Sequence, residues 1–132
     1  MSSFLSPLIV SPQPDGKRWM VMEDFTYDIG EKDSGNIITV EEGFLMDFAS
    51  IPKFLFFLPY WSKYNKAPVL HDWLYQNHSK TRKEADKIFL EAMLVEFRKH
   101  SLGKLVAKIE YYAVRLFGWV AWRKNEMPQL SE

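Results

Sequence analysis

The spacing of apolar residues changes once along the chain. Up to about residue 51 the apolar positions fall in short runs with β-branched residues and alternation, as in Phe25-Thr26-Tyr27-Asp28-Ile29 and Ile37-Ile38-Thr39-Val40. From Ala67 they recur at helical spacing, as in Phe89, Leu90, Met93 and Phe97. The first region predicts strands over Phe4–Val10, Arg18–Met22, Phe25–Ile29, Ile37–Val40 and Phe44–Ala49. Pro7 confines the first of these to an edge, and Pro14-Asp15-Gly16 supplies a turn. The second region predicts a short helix over Ala67–Tyr75, a polar turn over Gln76–Lys80 and a longer helix over Thr81–Phe97. A last helix is expected from about Leu102 to Arg123, capped by Ser101. Thr81-Arg82-Lys83-Glu84 has the form of a capping box. These elements predict an α+β domain over residues 1–132, with a β half at about 4–51, a helical half at about 67–123 and a polar tail at 124–132. A small N-terminal antiparallel sheet of four or five strands packs against a helical hairpin plus one long helix.

The hairpin places chemistry at a defined height. His71 lies eight residues before Ser79, the middle of the turn, and Asp86 lies seven after it. In an antiparallel pair rising about 1.5 Å per residue the two come level. Asp86 sits in an apolar helix face, where an ionised carboxylate needs partners; His71, Arg82, Tyr75, Tyr111 and Tyr112 are the candidates. A carboxylate on one imidazole nitrogen fixes the tautomer and leaves the other as a base. Asp72, about 100° further round the helix, points elsewhere, and with Asp47 it has the chemistry to hold a hard cation. Two readings follow. The cluster is a site with a histidine base, or it is a buried His-Asp-Tyr network that locks the hairpin and does no chemistry. Ser50 reads as a turn or cap residue rather than a nucleophile, and His78 and His100 read as solvated charge near helix ends.

Composition removes several classes. The 132 residues include no cysteine, which excludes disulfides and thiolate chemistry and suits a reducing cytosol. Seventeen basic and 17 acidic residues cancel, so no basic field argues for nucleic acid. No signal peptide is visible, and no run reaches the roughly 18 apolar residues of a spanning helix. Aromatic residues make up 16% of the chain and crowd the connector Phe54–Tyr64, which is either core or an exposed interface. The helix Leu105–Trp122 reads mainly as core, although Trp119, Trp122, Arg115, Arg123 and Lys124 together would suit a lipid headgroup boundary.

Four blocks resemble a known family. Gly43-Phe44 with Asp47-Phe48-Ala49-Ser50-Ile51-Pro52 comes first, then Leu70-His71-Asp72-Trp73-Leu74-Tyr75. Arg82 with Ala85-Asp86 and Phe89 is the third, and Tyr112-Ala113-Val114-Arg115 with Phe117-Gly118 the fourth. Together they look like the phage and prophage family DUF1353, departing at Met46, where threonine is usual. The resemblance marks Ser50, Arg82, Tyr112 and Arg115 as supporting positions. It implies a phage accessory protein in the host bacterial cytoplasm or on the virion. His71-Asp72-x-x-Tyr75 followed by Ala85-Asp86 is also similar to the active-site helices of phospholipase A2 enzymes. That likeness implies His71 as base, Asp86 as the acid orienting it, Tyr75 beside them and Asp72 as a calcium ligand. Residues 54–66, where those enzymes carry a glycine-rich calcium loop, contain no glycine. The leading expectation is metal-assisted ester hydrolysis. The alternative is a non-enzymatic phage protein that binds a host factor or small signalling molecule in counter-defence, or a virion assembly or tail component. Partners left open are a lipid or small-molecule ligand, a host protein, or a second copy.

Overall fold

Six short strands precede four helices in the structure, a computed structural model that describes residues 3–4, 8–14, 18–30, 35–46, 66–97 and 101–126. The strands are β1 (Ser3–Phe4), β2 (Val10–Pro12), β3 (Trp19–Val21), β4 (Phe25–Asp28), β5 (Ile37–Val40) and β6 (Leu45–Met46). They form two antiparallel three-stranded sheets, β1-β4-β5 and β2-β3-β6, where the sequence pointed to one sheet. The reason lies at β3 and β4, which are neighbours in sequence but pair in different directions. Val21 meets Val10 across β2, while Phe25 meets Val40 across β5. Pro12 sits at the end of β2, an outer strand of its sheet, where its missing N–H is tolerated. In β5, Ile38 and Val40 are buried and Ile37 and Thr39 exposed, the alternation of a sheet with one face on the core.

The helices are α1 (Lys66–Asn77), α2 (Arg82–Phe97), α3 (Gly103–Phe117) and α4 (Trp119–Glu126). The carboxylate of Glu96 accepts from the backbone N–H groups of Lys66 (3.0 Å) and Ala67 (2.7 Å), so α2 caps the start of α1. Pro68 sits in that first turn, where its missing N–H costs nothing. The capping box of α2 is present: Thr81 N–H donates to Glu84 and Glu84 N–H donates back to Thr81 Oγ1, at 3.0 and 3.1 Å. Between α1 and α2 the chain turns through His78, whose φ is 55°. Ser101 does not cap α3; the capping position is Leu102, with no side-chain hydrogen bond. The expected long helix divides at Gly118, although Gly118 N–H still donates to Val114 O at 2.8 Å.

The core lies between the sheets and the α1–α2–α3 layer, with Phe25, Tyr27, Leu70, Leu74, Phe89 and Met93 wholly buried. Each such side chain contributes roughly 1.5–3 kcal/mol by leaving water. Tyr27 and Glu91 join the layers: the phenol donates to Glu91 Oε1 at 2.5 Å, and Gly30 N–H donates to the same oxygen at 3.1 Å. Phe44 meets the Trp73 ring of α1 edge-on at 5.0 Å. No helix among the described residues is long and apolar enough to cross a membrane.

Candidate functional site: a buried carboxylate shared by three helices

His71 and Tyr75 lie one turn apart on α1 and face α2, because residues at i and i+4 share a helix face. Both reach Asp86 Oδ1: His71 Nε2 at 2.7 Å and the Tyr75 hydroxyl at 2.6 Å. The other oxygen, Oδ2, accepts from Arg115 Nη1 of α3 at 2.7 Å, with Arg82 Nη1 further off at 3.5 Å. Arg82 makes its shorter bonds to the end of α3, donating to Val114 O at 3.1 Å, beside the Gly118 N–H, and to Arg115 O at 3.2 Å. Asp86 and His71 are wholly buried. An unpaired carboxylate there would cost on the order of several kcal/mol; here donors from α1, α2 and α3 surround it.

Burial pushes the His71 imidazole below its ordinary range against the pull of Asp86, so the ring is neutral at pH 7. Burial pushes the Asp86 carboxyl the other way, but hydrogen bonds from His71, Tyr75 and Arg115 outweigh it and keep the group ionised. Burial and then the neighbouring carboxylate raise the Tyr75 phenol, which stays a donor. An ionised carboxylate only accepts, so the His71 proton sits on Nε2. The ring is fixed from both sides, stacked on Phe89 at 4.3 Å and tilted against Tyr75 at 4.2 Å.

Tyr75 owes its position partly to Gly118. A Cβ there would lie 2.6 Å from the Tyr75 hydroxyl and 2.5 Å from Val114 O. Beyond it, Trp122 meets Tyr75 edge-on at 5.1 Å and stacks on His78 at 3.7 Å. His78 is therefore half-buried against Trp122 rather than solvated, and Trp122 turns inward rather than toward a headgroup boundary.

Asp72 is buried and faces β6. Its Oδ2 accepts from Gln76 Nε2 at 3.2 Å, and the same nitrogen donates to Leu45 O at 3.3 Å. Gln76 thus ties Asp72 to the end of β6. Among the described residues no group of three or more His, Cys, Asp or Glu side chains gathers as a metal site. Asp47 and Ser50, the connector 54–64, and His100 lie outside the described residues. Tyr112 does not reach Asp86: it is 63% exposed on the outer face of α3, against the edge of Tyr111. Arg115, three residues on, takes the place foreseen for a tyrosine.

Two carboxyls and a glycine escaped the sequence reading. Glu96 caps α1, and Gly118 admits Tyr75. Glu110 is wholly buried on α3, with neither carboxylate oxygen hydrogen-bonded among the described residues. Its position one turn after Val106 and one turn before Val114 was the available signal.

The family model described as protein of unknown function (DUF1353) matches residues 19–114. The chain belongs to this family. The matched segment runs from β3 almost to the end of α3, taking in His71, Asp72, Tyr75 and Asp86 and stopping just before Arg115. An uncharacterized protein of Sinorhizobium fredii (strain NBRC 101917 / NGR234), y4iH, is 39% identical over 75 residues. That stretch covers 54% of this chain and 30% of y4iH, so the chain matches under a third of that relative's length. No solved structure matches the chain.

Proposed function

We propose that the Asp86 cluster is a hydrolase-like proton-transfer centre acting on an ester, lipid esters included, in a phage or prophage setting. One observation carries the reading: Asp86 accepts a hydrogen bond from His71 Nε2 while Tyr75 and Arg115 hold the carboxylate still. In this reading the His71 imidazole takes a proton from water as the water oxygen attacks the ester carbonyl. The resulting imidazolium is stabilised by Asp86 and returns the proton to the departing alkoxide, giving acid and alcohol. A His71 ring that is neutral at pH 7 suits that role. Asp72, with Asp47, is the pair that would take calcium, which would supply Lewis-acid polarisation of the carbonyl when bound.

A screen of short-chain and phospholipid esters tests this, with His71→Gln and Asp86→Asn compared against wild type at matched folding by circular dichroism. Turnover that falls by about 100-fold or more in His71→Gln supports the centre. Activity unchanged in a folded His71→Gln overturns it. Calcium titration by calorimetry on wild type and Asp72→Asn tests the metal separately, and no binding at millimolar calcium removes it.

The full burial of His71 favours a second reading, in which the cluster locks the helices and function resides in binding a host factor or small signalling molecule, or in virion assembly. The groove lined by Ile29, Asn36, Lys80, Lys87 and Ile88, between the β4–β5 end and α2, does not reach His71. Under this reading His71→Gln tolerates loss of the base, and function fails instead on changes in residues 54–61.

A further inference from the structure

A second apolar row runs along α3, on the side away from its core contacts. Leu102, Leu105, Ile109, Tyr112, Leu116 and Trp119 follow at steps of 3, 4, 3, 4 and 3 residues. Each is between 40% and 66% exposed. The core face of the same helix is separate and carries Val106, Ala107, Glu110 and Val114, all buried. Because Gly118 keeps its helical hydrogen bond, the outer row passes onto α4 and gains exposed Val120. Scattered apolar residues on a surface are ordinary, but a continuous row of four on α3, extended by Leu102 before it and Trp119 on α4, marks an interaction surface.

Charge selects the partner. From Ser101 to Glu126, the last residue of α4, the chain has five cations and two acids, and of these acids Glu110 is buried. Lys104, Lys108, Arg123 and Lys124 are exposed; Arg115 alone is drawn inward, to Asp86. The outer face of α3–α4 therefore shows lysine and arginine with no described exposed carboxylate, although the whole chain is neutral. On α2, by contrast, exposed Lys83 and Lys87 alternate with Glu84. The Arg123 guanidinium lies over the Trp119 ring, 5.8 Å from its centre, so an amphipathic aromatic and a cation occupy one end of the row together. Pairing two copies along this row would set Lys104 and Lys108 of both beside one seam with no acid to answer them, which like-charge repulsion opposes.

The geometry points to a peripheral docking face for an anionic lipid surface. The row Leu102–Trp119 enters the headgroup boundary, and Lys104, Lys108, Arg123 and Lys124 meet lipid phosphates. Apolar and aromatic residues along one side with lysine and arginine along the other is the arrangement of helices that lie in such interfaces. Docking there is independent of the chemistry at His71 and holds whether that centre catalyses or only locks the helices.

The test is co-sedimentation of the full chain with phosphatidylcholine vesicles, with and without about a third phosphatidylglycerol. Binding is expected only to the anionic vesicles and weakens with salt. The double variant Leu105→Gln/Leu116→Gln, at exposed sites and with unchanged melting, lowers affinity by about tenfold or more. Lys104→Glu/Lys108→Glu also abolishes it, while Lys83→Glu/Lys87→Glu on α2 leaves it intact. Absence of binding to anionic vesicles overturns the proposal, as does equal loss in the α2 pair. A dimer in analytical ultracentrifugation that Leu105→Gln/Leu116→Gln dissolves, without vesicle binding, reassigns the row to self-association. Binding to poly-glutamate in place of vesicles reassigns it to an acidic protein.

Discussion

Glu110 and Asp86 are two buried carboxyls with opposite fates. Asp86 is surrounded by donors and stays ionised. Burial pushes Glu110, which has no hydrogen-bond partner among the described residues, up to about 8 from its ordinary 4.5, so it is neutral at pH 7. The sign of its effect on stability follows. Between those two values the folded chain holds a proton that the unfolded chain has released, so stability falls as pH rises, by up to about 1.4 kcal/mol per unit. Glu96, also raised by burial, contributes in the same direction. His71 works the other way, with stability lost as pH falls below the ordinary imidazole value. Glu110→Gln removes only the first of these slopes. Urea unfolding at pH 5 and pH 8 should show the variant gaining on wild type at the higher pH by roughly 1–3 kcal/mol. Equal pH dependence in both proteins would mean that Glu110 is ionised in the fold.

At the scale of elements, two glycines set how closely helices approach. Gly103 begins α3 directly against the Phe97 carbonyl and Cβ, which leaves no room for a side chain. Gly118 does the same for Tyr75. Alanine is the better helix former by about 0.8–1.0 kcal/mol. At 118, however, its methyl would strike a buried phenol and a backbone oxygen, and overpacking of that kind costs about 1–3 kcal/mol. Gly118→Ala should therefore lower the melting temperature despite the helix preference. Tyr75→Phe removes the hydroxyl that the methyl would strike, so the double variant should lose less than the sum of the singles. Strict additivity would place the strain elsewhere.

Across the whole molecule, the sheets and helices are coupled through Tyr27, Glu91 and Gly30. A phenol bonded to a carboxylate is a strong contact, and its coupling is measurable by a double-mutant cycle. Tyr27→Phe and Glu91→Gln should show an interaction energy of about 1 kcal/mol or more. The two halves are expected to unfold in one transition, with far-ultraviolet and near-ultraviolet signals coincident in urea. Separate midpoints would mean that the β half and the helical half are independent units. What could be read without a structure was local or countable. The capping box of α2 and the alternation of β5 depend only on neighbours in sequence. The meeting of His71 with Asp86 followed from counting outward from a short turn. Tertiary packing decided what periodicity leaves open. Six short strands in a row can close one sheet or divide between two, and β4 pairs with β1 and β5 rather than with its neighbour β3. On α3 both Tyr112 and Arg115 had the chemistry to reach Asp86, and only the seat of that helix against α2 sent the arginine inward and the tyrosine out. The same seat buried Glu110 and left Leu105 to Leu116 outside. A helix with two apolar rows carries no local mark of which row is core; the elements that cover one of them make that choice.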